Sequence, residues 1–402
     1  MVDLPSLPSD PIAEEVRSAV DRLDLARRYR ELDRTPEFPR REFRALGDAG
    51  LLGLRTPARF GGRGLSLPRT GVALFHLAYR SGTTFAKLSL QPEFCSVLAD
   101  HGSPDLVATW FEPMLRGERL VGNQITEPGA GSDAGAIALV ARPQGDRYLL
   151  SGEKSAVAFA AEADAAIVYA RVPGPDPRRE ITAFLVPQDL PGVARTLSSG
   201  DLGERWQRRG SVRYEKVELP ARFRIGSEGE GFEYVRSELT REHALLAAIY
   251  LGVARASWEE TVRYVEGRHA FGRALSSQEG VAFPLVADGA RMEAAWLYVE
   301  RVLERLEAGE DARAEAALAK WLAVDVALGT IDHAIQFHGG RGYSQELPHE
   351  QRWRDVRSGR IAHGPDEIML WVASRALWPR RADTDSSAIA RDSANADPAR
   401  RD

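Results

Sequence analysis

The chain has 402 residues, 44% of them hydrophobic and 28% charged, with a formal net charge of -5. That length points to two or three packed units rather than one simple core. The mild charge, with no lysine- or arginine-rich arm, gives no general pull toward nucleic acid or acidic membranes, and the single cysteine, Cys95, excludes an internal disulfide.

Met1 to Asp10 lacks the charged-then-apolar pattern of a signal peptide. The longest apolar stretch, Ala244 to Ala254, is too short to span a bilayer, so a cytoplasmic protein without a membrane anchor is expected. Asp10 is placed to cap a helix running through Ile12, Val16, Val20, Leu23 and Leu25, an apolar stripe at helical spacing. A second helix is expected around Phe43, Leu46 and Leu51. A glycine-rich loop follows at Arg59 to Ser66, then helices over Leu67 to Tyr79 and Phe94 to Leu115.

From about Arg119 to Gly226 the chain changes character. Runs such as "RYLLSG", "AAIVYARV" and "ITAFLVP" are broken by Gly, Pro, Asp and Ser, which predicts a β-sheet or barrel unit. Helical periodicity then returns over Glu242 to Glu266, Pro284 to Glu307 and Ala312 to His338, which suggests an antiparallel bundle. A last helix is expected from Asp366 to Leu377. The tail after Arg380 is polar and small, and reads as disordered. The resulting division is 1–118 helical, 119–227 β, 228–380 helical and 381–402 tail. Alternating βαβ units are absent, and no GxGxxG follows a strand, so a Rossmann domain is not expected.

"ITEPGAGSD", Ile125 to Asp133, is the most informative stretch. Gly129, Ala130 and Gly131 let backbone approach a flat ligand, and Thr126 and Ser132 add hydroxyl donors. On composition alone a simple turn at the entry to the β unit is the favoured reading. Arg268 has the fork geometry that pairs with a pyrophosphate, and Phe271 can pack against an aromatic ring. Gln278 and Gln336 carry both donors and acceptors, and Gly339 and Gly340 allow close backbone approach. Taken singly, each of these fits an ordinary surface role better. No metal site is expected: a lone cysteine makes a thiolate site untenable.

In this order the segments resemble the acyl-CoA dehydrogenase family. "ITEPGAGSD" resembles the stretch that lines the flavin ring and the substrate thioester. "RHAFGRALSSQ", Arg268 to Gln278, resembles a segment that contacts FAD across a subunit interface. "QFHGGRGYSQELPHEQRWRDVR", from Gln336, resembles the adenine- and pyrophosphate-side motif, and "FPRREFRALGDAGLLGL" the family's first helices. The resemblance covers about Glu31 to Leu377. It implies an α+β multidomain fold with an N-terminal helical domain, a middle β domain and a C-terminal four-helix bundle. It also implies FAD as cofactor and assembly as a homodimer or homotetramer. The implied cofactor residues are Ile125, Thr126, Gly131, Ser132, Arg268, Phe271, Gln278, Gln336, Gly339, Gly340 and Glu367, with Ser132 and His363 on the substrate side.

The implied reaction removes the α-proton of an acyl thioester, carried on coenzyme A or an acyl carrier protein, while the β-hydride goes to flavin. Electrons then pass to an electron-transfer flavoprotein. Here the sequence departs from the commonest pattern. The late segment that usually carries the glutamate base reads "IAHGPDEIM", with His363 at the glutamate position. A second subgroup carries its base ten residues before a helix glycine, and Glu242 stands ten before Gly252. Glu242 is therefore the expected base, with His363 as a rival. A tryptophan usual after the Gly152–Lys154 segment is Ala156 here, and a hydroxyl residue is Ala158. That leaves room for a flavin oxidase or monooxygenase on the same scaffold. The missing late glutamate leaves room for a non-catalytic flavin-binding protein.

Overall fold

The computed structural model describes residues 8–176, 180–198 and 200–378. The expected disordered tail lies outside the described residues.

Asp10 does cap the first helix. Its Oδ1 accepts from the Ile12 N–H at 2.9 Å, and Pro11 opens α1 (Pro11–Arg22). The stripe does not continue as one helix to Leu25. Asp24 turns left-handed at φ 53, and α2 (Leu25–Arg34) starts afresh. The break re-aims Leu25, Tyr29 and Leu32 into the core. α3 (Arg40–Asp48) ends before Leu51, which follows the turn at Gly50. α4 (Leu67–Leu90) is longer than its sequence stripe and is kinked at Ser81 and Gly82. At Gly82, φ is +69, and a Cβ there would lie 2.4 Å from the Tyr29 ring. The single helix expected over Phe94 to Leu115 is instead a chain of short pieces. They include α5 (Ser96–His101), α6 (Pro104–Leu106) and α7 (Glu112–Leu115). Gly102 ends α5 and Pro104 starts α6, because proline lacks the N–H that would continue a helix.

The middle of the chain is one eight-stranded sheet among the described residues. Its strands are β1 (Val121–Gln124), β2 (Val140–Gln144), β3 (Arg147–Val157), β4 (Ala165–Arg171), β5 (Ile181–Pro187), β6 (Val193–Leu197), β7 (Gly210–Pro220) and β8 (Arg224–Ile225). The order is β6-β7-β3-β2-β4-β5-β8, with β1 parallel to β4. β4 and β5 are buried nearly throughout, because one face packs inside the sheet unit and the other meets the helices.

Next comes α8 (Gly231–Gly267), the longest helix, buried on all sides from Ala244 to Trp258. A helix apolar all round belongs in the centre of a molecule. It starts eleven residues before the expected first residue, Glu242, because Tyr234, Val235 and Glu238 are also buried. Gly252 lets it approach α4: a Cβ there would stand 2.3 Å from the Phe75 carbonyl oxygen. A small hairpin, β9 (His269–Ala270) with β10 (Arg273–Ala274), leads into α9 (Glu279–Glu307). α10 (Arg313–His338) packs beside α8 and α9, α12 (Asp366–Leu377) packs on α10, and α12 has the expected bounds. Pro284, expected to open α9, lies inside it. α11 (His349–Arg357) has no counterpart in the sequence reading.

Candidate active site

Glu242 lies eleven residues inside α8, not at its start. Helix-end electrostatics therefore do not account for a carboxylate there. The side chain is only 3% exposed. Burial pushes its carboxyl up to about 8; Arg241 opposes this shift and Glu93 adds to it. Glu238, one turn earlier on the same face, is also pushed up to about 8, by burial and then by Glu242. It is satisfied locally: Glu238 Oε1 accepts from the Val97 N–H at 2.7 Å, and Oε2 from the Tyr169 hydroxyl at 3.2 Å.

Glu242 has a different partner. Its Oε2 lies 3.3 Å from His363 Nδ1, so the two candidate bases are in contact. His363 stacks on Phe94, with ring centroids 4.8 Å apart. The Phe94 carbonyl accepts from Asn123 Nδ2 at 2.7 Å, which ties this corner to β1 and the start of the Ile125–Asp133 loop. The His363 loop is held from two sides. His243 Nε2 meets the His363 carbonyl at 2.8 Å, and the Lys320 ammonium donates to the carbonyls of Ala362, at 2.7 Å, and Gly364.

The Ile125–Asp133 loop is anchored by a pair that sequence reasoning did not single out. Lys154, fully buried on β3, donates to the Ile125 carbonyl and to Glu127 Oε1, both at 2.8 Å. Glu127 also accepts from the N–H groups of Ala138 and Leu139. Ile125 and Thr126 are half-buried, whereas Gly131 and Ser132 are exposed at the tip. A bulge interrupts the β3–β7 ladder between Lys154 and Val157, and Ala156 takes φ 52 there with its side chain exposed.

The remaining expected cofactor residues stand elsewhere. Arg268 is exposed at the end of α8, and Phe271 is 98% exposed at φ 54 on the hairpin tip. Gln278 Nε2 is buried without a hydrogen-bond partner, although its Oε1 accepts from Arg273. Gln336 is exposed near the end of α10. Gly339 follows at φ +60, and side chains at Gly339 or Gly340 would meet nothing within 4 Å. Glu367 is exposed at the start of α12. Arg268 follows Glu242 by 26 residues, about 39 Å of helix at 1.5 Å per residue. One chain thus separates Arg268, Phe271 and Gln278 from its own Glu242. An uncovered aromatic, an exposed guanidinium and an orphaned amide N–H suit a flat heterocycle carrying a pyrophosphate.

Among the described residues no group of His, Cys, Asp and Glu could hold a metal ion, and no helix is long and apolar enough to cross a membrane.

Three family descriptions match in register: the acyl-CoA dehydrogenase N-terminal domain over residues 10–118, the middle domain over 122–217 and the C-terminal domain over 229–378. The chain is 31% identical to the short-chain specific acyl-CoA dehydrogenase of Rattus norvegicus, covering 85% of this chain and 83% of that protein. It is similar in structure to the prolyl acyl carrier protein oxidase AnaB, with a TM-score of 0.86 at 25% identity over 92% of this chain and 99% of AnaB. An FAD complex of PigA superposes with a TM-score of 0.85 at 25% identity, covering 92% of this chain and 98% of PigA. The helix–sheet–helix architecture, the buried carboxylate of α8 and these matches together make the chain a member of the acyl-CoA dehydrogenase family.

Proposed function

We propose that this protein is an FAD-dependent oxidoreductase that dehydrogenates an acyl thioester between its α and β carbons, with Glu242 as the base for the α-proton. The observation that carries this reading is the Glu242 carboxylate itself. It is buried at the centre of the fold, its carboxyl is pushed up to about 8, and its hydrogen-bond partner is His363 alone among the described residues. A desolvated carboxylate with a raised pKa is matched to removing a weakly acidic proton near neutral pH. His363 is the weaker candidate. Burial and the positive charges of Lys87 and Lys320 push its imidazole well down, so a protonated product at that ring is disfavoured.

FAD, when bound, supplies the acceptor for the β-hydride. Ile125, Thr126, Gly131 and Ser132 would hold its ring side, with Ser132 also facing the substrate. Arg268, Phe271, Gln278, Gln336, Gly339, Gly340 and Glu367 would hold its nucleotide side. The helical distance between Glu242 and Arg268 supports a reading in which the Arg268–Gln278 hairpin serves a cofactor bound mainly by a second copy, in a homodimer or a dimer of dimers. The substrate is an acyl group on coenzyme A or on a carrier protein, the protein works in the cytoplasm, and an electron-transfer flavoprotein takes the electrons. A second reading, an oxidase, is favoured by Ala156, which exposes only a methyl group on the bulge beside the Ile125–Asp133 loop. It is also supported by the likeness to AnaB, itself an oxidase.

The test uses anaerobic flavin bleaching with a panel of acyl thioesters. Glu242→Gln is expected to slow bleaching by about 10² to 10⁴-fold, the usual worth of a positioned base. Bleaching at the parent rate would overturn the assignment. Oxygen uptake without a flavoprotein acceptor would favour the oxidase.

A further inference from the structure

We infer that His363 is a positioning residue for Glu242: its Nδ1–H holds carboxylate oxygen Oε2 and leaves Oε1 as the atom that takes the α-proton. The inference rests on the reading of Glu242 as the base.

The geometry comes first. Nδ1 stands 3.3 Å from Oε2, and the imidazole is not free to leave. Phe94 stacks against one of its faces at 25° between ring planes. The backbone of His363 is left-handed at φ 53, a conformation uncommon for residues other than glycine. His243 and Lys320 hold it through the carbonyls on and beside His363. Three separate elements thus fix one ring against one carboxylate oxygen.

Charge decides which proton the contact uses. From its own helix Glu242 meets Glu238 and Arg241. From the segment after α4 it meets Glu93 and Cys95, and from β4 Tyr169. His363 is faced by Lys87, Lys320 and Glu204, and burial with the two ammonium groups keeps it neutral. A neutral imidazole carries one N–H, and once Glu242 is ionised to the carboxylate that works as a base, that hydrogen belongs on Nδ1. The donated hydrogen bond favours the charged carboxylate and so works against its burial. When the α C–H bond breaks, the new O–H bond forms on Oε1, and the imidazole keeps its own proton throughout.

The donor role separates cleanly in His363→Asn and His363→Leu. Both lose the ring, the two replacements are close in size, and only asparagine keeps an N–H to offer. Flavin reduction by a thioester that bleaches the parent holoenzyme is followed anaerobically against pH. The leucine variant should reduce flavin about tenfold more slowly at pH 7. Its acid limb should move up by about one pH unit, the worth of one lost hydrogen bond to a charged group. Asparagine should restore most of both. Equal behaviour of the two variants, or a leucine variant like the parent, overturns the inference. Should neither variant retain flavin, ¹⁵N-histidine spectra of the parent protein taken above pH 8, where Glu242 is ionised, decide the matter: an Nε2-protonated His363 overturns it and an Nδ1-protonated one supports it. Glu242→Gln separates the two claims. If it bleaches normally, the base assignment has failed. If it is inactive while His363→Leu is normal, only the positioning role has failed.

Discussion

At the residue scale, Lys154 and Glu127 show how an exposed loop is held by groups far below it. Lys154 is fully buried, and burial pulls its ammonium down to about 8 while Glu127 opposes the shift. Removing one partner of a buried, hydrogen-bonded pair leaves the other charge without compensation, at a cost of about 3–5 kcal/mol. Lys154→Met should therefore lower the denaturant midpoint and weaken FAD retention together, because the Ile125 carbonyl loses its donor in the same change. Unchanged flavin content after gel filtration would count against this account. The Ile125–Asp133 loop stood out in the sequence as a candidate, because small residues and hydroxyls cluster there. The Lys154–Glu127 pair was not, because 27 residues and a strand reversal separate its members. The contact of Glu242 with His363, 121 residues apart, likewise had no local signature. Each residue was a candidate alone, and only tertiary packing brings them together.

At the element scale, the approach of α8 to α4 depends on Gly252. A methyl group there would meet the Phe75 carbonyl oxygen at 2.3 Å and the Ala78 Cβ at 3.1 Å. Gly252→Ala should destabilise by about 1–3 kcal/mol, the usual cost of overpacking, despite the better helix propensity of alanine. Gly329→Ala in α10, where an added Cβ meets nothing within 4 Å, should shift stability the other way by up to about 1 kcal/mol. Urea midpoints of the two variants should thus move in opposite directions; movement in the same direction would refute the packing argument. The pattern explains which helices the sequence revealed. α12 was legible to the residue, since Pro365 and Asp366 mark its start. The break at Asp24 was not, because neither glycine nor proline announces it. The early start of α8 was hidden by the charged residues interleaved with Tyr234 and Val235. α11 was hidden for the same reason: its nine residues are mostly charged, and the partners of Arg352, Arg354 and Asp355 lie elsewhere in the chain.

At the scale of the whole molecule, buried polar groups join the three parts of the chain. Lys87 of α4 pairs with Glu204 at 2.5 Å, the Glu204 N–H donates to Asp355 at 2.6 Å, and the Tyr29 hydroxyl donates to the same carboxylate at 2.7 Å. Acid should weaken this joint region through His349, which is wholly buried between α8, α10 and α11 with neither ring nitrogen hydrogen-bonded. Burial, followed by Arg352, pushes it down to about 3. An unfolded histidine binds its proton below about 6.5. The folded one does so only near 3, so stability is full above 6.5 and is lost as pH falls through that window, by about 1.4 kcal/mol per pH unit. His349→Leu should be less stable than, or equal to, the parent at pH 8 and gain on it at pH 5. A stability difference independent of pH would refute this.

The span of α8 has a consequence of another kind. Substitutions more than about 10 Å apart usually act independently, and Glu242 and Arg268 are separated by about 39 Å of helix. Because the hairpin is proposed to serve a cofactor held mainly by a second copy, the proposed base and the hairpin of one chain would work at different flavins. In a mixed dimer, a change at Glu242 and a change at Arg268 on the same chain would fall on different sites.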